Sequence, residues 1–199
     1  MYGCPMCERS ENFNEIIFES ENFYVSPALG QIVEGYLLIN TKEHYIGLSH
    51  IPKELFLELK EVQDEVKEVL SQHYTKPIFF EHGCVSETKR GGCCIVHAHL
   101  HAVPFEIDIL EDIAKNFRPR RIGDISELVS QSERCVAYFY YENQIGEKYI
   151  FELKEPAPPQ YIRQIIAVRA KKPDKWDWRE FPEWDRLHNT IARLKGKKV

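Results

Sequence analysis

Three histidines recur at every second position, His97, His99 and His101, with small or aliphatic residues such as Ala98 and Leu100 between them. In a β-strand, alternate side chains leave the same face about 7 Å apart. The pattern therefore predicts a strand over 95–104 with imidazoles on one face and apolar side chains on the other. The residues alone leave two chemistries open, a metal cage built from the row or a histidine used directly as a nucleophile.

A second set of chemically active residues lies near the start of the chain, where Cys4 and Cys7 form a C-x-x-C motif. Two cysteines at this spacing can supply half of a tetrahedral zinc site. A redox pair and two unrelated thiols are the other interpretations that the motif leaves open.

A polar, glycine-rich loop precedes the histidine row. It follows a short apolar run that ends at His82, a candidate for substrate contact or general acid work as well as an ordinary loop histidine. Adjacent glycines and a Lys-Arg pair can bring backbone N–H groups and positive charge to a phosphate. The candidate substrate-binding residues in this region are His82, Lys89, Arg90, Gly92, Cys93 and Cys94.

The composition is that of an ordinary globular protein: 199 residues, 43% hydrophobic and 29% charged, with a net charge of −5. The negative charge argues against extended nucleic-acid binding but leaves room for a local basic pocket. No apolar run approaches the roughly 18 residues of a membrane span, and the first residues lack the layout of a signal peptide. The six cysteines fit reduced thiols or metal ligands better than a disulfide framework. We therefore expect a cytoplasmic protein without a membrane partner.

The elements that must position these residues follow from the period of the apolar residues. A hairpin is predicted over 16–26 and a central strand over 35–40. An amphipathic helix is predicted over 51–74, and a further strand over 77–82 leads to the glycine loop and the histidine strand. Strands surrounding one long helix predict an α+β fold with an antiparallel sheet.

The remaining residues predict further α+β structure. The predicted elements are a short helix over 109–117, a basic turn over 118–121, a hairpin from 136–141 and 148–153, a helix over 160–170, and a last amphipathic helix with Trp184, Leu187, Ile191 and Leu194 on one face. Arg118, Arg120, Arg121 and Arg163 are candidates for phosphate contact, with ordinary surface arginines as the competing interpretation.

The row His97-x-His99-x-His101, followed by Ala102-Val103, resembles the motif of the histidine-triad (HIT) superfamily. The order of hairpin, strand, helix and strand before it is also similar over about the first 105 residues. The resemblance implies a HIT-like catalytic domain over 1–105. Residues 106–199 would then be a C-terminal extension acting as a lid, a cover for the sheet edge, or a stand-in for the second subunit of the usual homodimer.

Within that superfamily the chain looks like the branch that carries zinc. The resemblance implies a structural Zn²⁺ held by Cys4, Cys7, His44 and His97, with His44 closing the segment Thr41-Lys42-Glu43-His44. Four protein ligands are typical of a structural rather than a catalytic zinc site.

For the other two histidines the resemblance implies a nucleotide hydrolase or nucleotidyltransferase acting on a nucleotide or nucleotide conjugate. His99 would attack the α-phosphorus to give a covalent nucleotidyl-histidine, and His101 would stabilise the phosphate oxygens. The chain departs from the pattern at Cys94, where a hydroxyl often stands, at Cys93, where Gln is common, and at Ala28, where many members carry an acidic residue for the ribose. A non-enzymatic nucleotide-binding or adaptor protein and a metal-dependent hydrolase therefore remain alternatives.

Overall fold

The computed structural model describes residues 3–9 and 15–197. The strands are β1 (Phe18–Glu19), β2 (Phe23–Pro27), β3 (Leu37–Thr41), β4 (Pro77–Gly83), β5 (His99–Pro104), β6 (Pro119–Ile122), β7 (Tyr138–Glu142) and β8 (Lys148–Glu152). The α-helices are α1 (Leu55–His73), α2 (Leu110–Ala114), α3 (Val129–Glu133), α4 (Tyr161–Arg169) and α5 (Trp184–Leu194).

The eight strands form one antiparallel sheet in the order β1-β2-β3-β5-β4-β7-β8-β6. This confirms the predicted α+β fold class with its antiparallel sheet and one long helix. The sheet does not stop where the first part of the chain ends, because β7 pairs with β4 along Phe79–Gly83. The division of the chain at 105/106 stays a prediction.

The long helix α1 forms where apolar residues recur at three- and four-residue steps after Pro52. Leu59, Val62, Val66 and Leu70 are buried, and the helix packs against β4 and β5. An apolar stripe on one side of a charged helix is stable only when it is buried in this way. The helix therefore supports the sheet from behind the histidine strand.

The histidine strand β5 lies between β3 and β4. His99 is opposite Asn40 of β3, and His101 is opposite Leu38 of β3 and Phe80 of β4. The prediction of a strand over 95–104 is wrong for residues 95–98, since β5 begins at His99. The preceding residues make other backbone bonds, including one from the Ala98 N–H to the Tyr45 carbonyl at 2.6 Å.

The basic turn predicted over 118–121 is also wrong, because Pro119 begins the edge strand β6, which pairs with β8. An edge strand tolerates proline, which cannot donate to a ladder. Arg120 and Arg121 pair there with Glu127 and Glu147 at 3.6 and 3.1 Å. Within residues 3–9 and 15–197 no helix has the length and apolar character needed to cross a membrane.

Candidate functional site

The histidines of β5 border an open cavity of about 470 Å³. Its walls come from the sheet, from the glycine loop, from the N-terminal turn, from the residues just after β2, and from the C-terminal extension. The lining residues are Met6, Ala28, Leu29, Leu38, His82, Gly92, Cys93, Cys94, Ile95, His99, His101, Gln160, Arg163 and Trp178.

The half-buried His99 is fixed by one hydrogen bond from its ring. Its Nδ1 lies 2.6 Å from the backbone carbonyl oxygen of His97. A carbonyl can only accept, so Nδ1 carries the proton and Nε2, on the other side of the ring, keeps its lone pair. Burial lowers the pKa of His99. The ring is therefore held as a neutral imidazole whose nucleophilic nitrogen is Nε2.

His101 is buried deeper and is held by a ring stack and a phenol. Its ring stacks on Phe80 with centroids 4.3 Å apart, and its Nδ1 lies 2.7 Å from the Tyr36 hydroxyl. The Arg163 guanidinium lies 5.1 Å from the centre of the Tyr36 ring. Because a guanidinium has only donors, a Tyr36 hydroxyl beside it directs its own proton to His101 Nδ1. The remaining proton of a neutral His101 then lies on Nε2, as a donor.

Burial lowers the pKa of His101 well below its usual value, and the neighbouring His99, His82 and Arg163 lower it further. A charged His101 would lose its hydration in this buried site and would lie near the positive charge of Arg163. His101 is therefore a neutral ring whose Nε2–H is available as a donor.

His82 lines the same cavity but its ring is engaged by the extension. Its Nε2 accepts a hydrogen bond at 3.2 Å from the backbone N–H of Ile162, in the first turn of α4. Burial, followed by His99 and Arg163, lowers the pKa of His82 to about 3. This contact satisfies one of the free N–H groups of the helix start. The geometry supports a role in positioning α4 more directly than one as a general acid.

Cys4, Cys7, His44 and His97 come together at the end of β3, with their ligand atoms all within 4.8 Å of one another. The Cys7 Sγ lies 3.2 Å from His44 Nδ1 and 3.4 Å from His97 Nδ1, and the Cys4 Sγ lies 3.5 Å from His97 Nδ1. A tetrahedral zinc with ordinary bond lengths places neighbouring S and N ligands about 3.5 Å apart. The donor set and its spacing fit a zinc ion.

The other nitrogen of His97 supports the same interpretation. Its Nε2 donates to the Thr41 carbonyl at 2.8 Å, which leaves Nδ1 free of its proton and able to bind a metal. Burial and the neighbouring Cys4 thiol raise the pKa of Cys7 to about 11. In the part of the chain that the structure describes, no group of three or more potential metal ligands contains His99 or His101. The cage of three row histidines is therefore not formed.

The glycine loop divides its predicted residues between two surfaces. Gly92, Cys93 and Cys94 line the cavity. Lys89 and Arg90 do not, and border a larger groove of about 1440 Å³ that shares Gly92 and Cys93 with the cavity. Their side chains bind nearby backbone carbonyls, Lys89 that of Cys135 at 2.9 Å and Arg90 that of Glu87 at 2.8 Å.

Sequence reasoning did not identify Tyr36, Gln160 and Trp178 as site residues. The sequence predicts Tyr36 only as part of the central strand over 35–40. Gln160 and Trp178 lie in the extension, more than 50 residues beyond the histidine row. The signal that could have found the extension residues is Gly30. A Cβ at this position would lie 2.6 Å from both Arg163 Nη2 and Trp178 Cβ, so the glycine lets the extension approach the cavity.

No protein-family model matches the chain. It is 24% identical over 183 residues to CWF19-like protein 1 of Homo sapiens, which covers 85% of this chain and 32% of that protein. It is 25% identical over 197 residues to zinc finger CCCH domain-containing protein 59 of Oryza sativa, which covers 89% of this chain and 31% of that protein. The chain thus spans about a third of the length of these curated relatives.

Solved structures that are similar to the chain include two histidine triad proteins. A Zn-bound histidine triad family protein from Mycobacterium smegmatis is 21% identical with a TM-score of 0.45, covering 67% of this chain and 95% of that one. A hypothetical histidine triad nucleotide-binding protein from Sulfolobus tokodaii is 20% identical with a TM-score of 0.42, covering 66% and 91%.

Proposed function

We propose that the chain is a nucleotide hydrolase or nucleotidyltransferase in which His99 attacks the α-phosphorus of a nucleotide or nucleotide conjugate. The observation that carries the proposal is the 2.6 Å hydrogen bond from His99 Nδ1 to the His97 carbonyl. It fixes the tautomer and the orientation that a nucleophilic Nε2 requires. The histidine-triad motif read from the sequence supports the same chemistry.

In the first step the Nε2 lone pair forms a P–N bond, and the P–O bond to the leaving group breaks with its electron pair remaining on the departing oxygen. The ring becomes positively charged, and the His97 carbonyl stabilises that charge through the Nδ1–H. In the second step the oxygen of water or of a second phosphate attacks phosphorus, and the P–N bond returns its pair to Nε2. When water is the acceptor, it also releases a proton.

The other cavity residues would stabilise the phosphate rather than react with it. His101 would donate from Nε2 to a non-bridging oxygen, because its Nδ1 receives the Tyr36 proton. The thiol of Cys94 is a weaker donor than a hydroxyl, so we expect little help to the leaving group from this position.

Cys4, Cys7, His44 and His97 would hold a structural zinc ion, which supplies a cross-link when bound. The same His97 whose ring belongs to this cluster provides the carbonyl that orients His99. The cluster thereby fixes the backbone that points the nucleophile.

The test is to trap the intermediate. Wild-type protein incubated briefly with a panel of α-³²P-labelled nucleotides and quenched in alkali should retain an acid-labile label on the peptide that contains His99. His99→Asn should lose both label and turnover, since its amide has no nucleophilic lone pair on nitrogen.

His188→Asn is the matched control, because this histidine lies on α5 outside the cavity lining. It should label like the wild type. Full turnover in His99→Asn would overturn the mechanism.

A non-enzymatic nucleotide-binding protein is the second candidate, and Cys94 is the observation that favours it. This residue lines the cavity, and its thiol is a weaker hydrogen-bond donor to a leaving group than a hydroxyl. Stoichiometric nucleotide binding with neither label nor product across the panel would select this alternative.

A further inference from the structure

The C-terminal extension places one polar side chain, Gln160, in the wall of the cavity. The residue is 3% exposed and immediately precedes α4. Its backbone is fixed on both sides, because its N–H donates to the Gly92 carbonyl at 2.9 Å and its carbonyl accepts from the Gln164 N–H at 3.0 Å. The extension and the glycine loop are thereby joined at this residue.

The orientation of the Gln160 amide is determined by Asp177. The amide nitrogen donates to Asp177 Oδ1 at 3.1 Å. Arg179 holds the same carboxylate with side-chain bonds of 3.0 and 2.8 Å and keeps the pKa of Asp177 low, at about 2. A carboxylate can only accept, so a reversed amide would set two acceptors against each other.

The amide oxygen of Gln160 has no partner comparable to Asp177 among the described residues. Gln160 Oε1 is buried and forms no hydrogen bond with any group of residues 3–9 and 15–197. Gln160 lines the cavity, whereas Asp177, which holds the nitrogen, does not. Buried acceptors are nearly always satisfied, and one left open in a cavity wall calls for a ligand donor.

We propose that Gln160 Oε1 accepts a hydrogen bond from a donor group of the bound nucleotide, either a sugar hydroxyl or a base amino group. Ala28 and Leu29 line the same cavity with apolar side chains. Gln160 is then a specificity-determining residue supplied by the extension, and Asp177 is the group that positions it. This inference depends on the proposed function, since it assumes a nucleotide in the cavity.

The experiment is a cycle that removes the acceptor from the protein and the donor from the ligand. Gln160→Met keeps the length of the side chain and removes the acceptor. Gln164→Met, within α4, is the matched control, because its side chain binds the Pro159 carbonyl and does not line the cavity. The probes are the four ribonucleoside 5′-monophosphates, their 2′,3′-dideoxy forms, and purine riboside monophosphate, which lacks the amino group. Affinities are measured by calorimetry.

We expect the wild type to bind one probe lacking a donor about 3- to 10-fold more weakly than its parent, the range for a single hydrogen bond. Gln160→Met should bind both members of that pair equally, while Gln164→Met should retain the difference. A difference confined to the dideoxy pairs identifies a sugar hydroxyl, and one confined to the amino pair identifies a base amine.

The proposal is contradicted if Gln160→Met keeps the wild-type difference in affinity between parent and donor-deleted probe. This happens when the substitution weakens both members of every pair equally or weakens neither. If this variant does not fold, the wild type alone decides the question. The proposal is then contradicted if the wild type binds every donor-deleted probe as tightly as its parent nucleotide. Failure of the wild type to bind any monophosphate would instead remove the proposed function itself. The two failures are therefore distinguishable.

Discussion

At the scale of single residues, three histidines with equal spacing have different environments. The His97 ring faces two cysteines, the His99 ring is held by a backbone carbonyl, and the His101 ring is held by Tyr36. The proton is placed by the Thr41 carbonyl in the His97 ring, by the His97 carbonyl in the His99 ring, and by the Tyr36 hydroxyl in the His101 ring. The partner, rather than the imidazole, decides which chemistry each ring can perform.

Tyr36→Phe tests the contribution of that partner at His101. Loss of the hydroxyl leaves Nδ1 without its donor, so the ring loses the constraint that places its proton on Nε2. We expect kcat to fall about 10- to 100-fold, less than the roughly 100- to 1000-fold for removing a stabilising donor outright, with KM changing little. Steady-state kinetics on the labelled nucleotide measures both constants.

Tyr74→Phe is the control, since its hydroxyl binds Glu34 outside the cavity. It should leave both constants unchanged. If Tyr36→Phe retains the wild-type kcat while remaining folded, His101 does not depend on Tyr36 for its tautomer.

At the scale of elements, the extension reaches the histidine cavity through α4 and the residues after it. The first turn of α4 donates to His82, and the Arg163 guanidinium donates to the Gly30 carbonyl at 2.7 Å. These contacts join residues separated by 80 and 133 positions in the sequence. The approach depends on the absence of a side chain at Gly30.

Gly30→Ala should therefore force the extension away from the cavity. Its Cβ would lie 2.6 Å from Arg163 Nη2 and Trp178 Cβ, and the position has a φ of +66°. We expect the free energy of unfolding to fall by about 1–3 kcal/mol beyond the cost of the backbone conformation, the range for overpacking. Nucleotide affinity should fall as well. Urea denaturation and calorimetry measure the two effects.

Gly146→Ala separates the two costs, because this glycine has a φ of +85° and no atom within 4 Å of the added Cβ. Equal destabilisation by the two substitutions would show that packing at Gly30 contributes nothing.

At the scale of the whole molecule, the Cys4, Cys7, His44 and His97 cluster joins three distant segments. It connects the N-terminal turn, the chain just after β3 and the chain just before β5. Met6, between the two cysteines, also lines the cavity. A metal bound here would stabilise the fold and one wall of the site together.

Metal analysis of the purified chain should give about one zinc ion per chain, because the four ligands form a closed tetrahedral set. Cys4→Ser should lower this ratio and the Tm, as removal of a structural metal removes folding free energy. Cys135→Ser, at an exposed cysteine outside the cluster, is the control and should retain the metal. The zinc assignment would be wrong if the purified wild type contained no metal and if a chelator left its Tm unchanged.

The sequence by itself determined the elements and the candidate ligands. Apolar period and turn residues predicted the hairpin at β1 and β2, the helix α1 and the hairpin of β7 and β8, because these signals lie within a few residues of one another. The C-x-x-C spacing singled out Cys4 and Cys7, and the resemblance to the HIT superfamily added His44 and His97. The structure brings these four residues together.

Only the tertiary structure decided how the site is completed. The pairing of β4 with β7, the capping of α4 by His82 and the placement of Gln160 and Arg163 in the cavity bring together residues about 60 to 130 positions apart. Such contacts follow from the packing of whole elements and leave no periodic signal in the chain. The strand β5 likewise begins at His99 and not earlier, and the His97 side chain lies in the cluster with Cys4, Cys7 and His44.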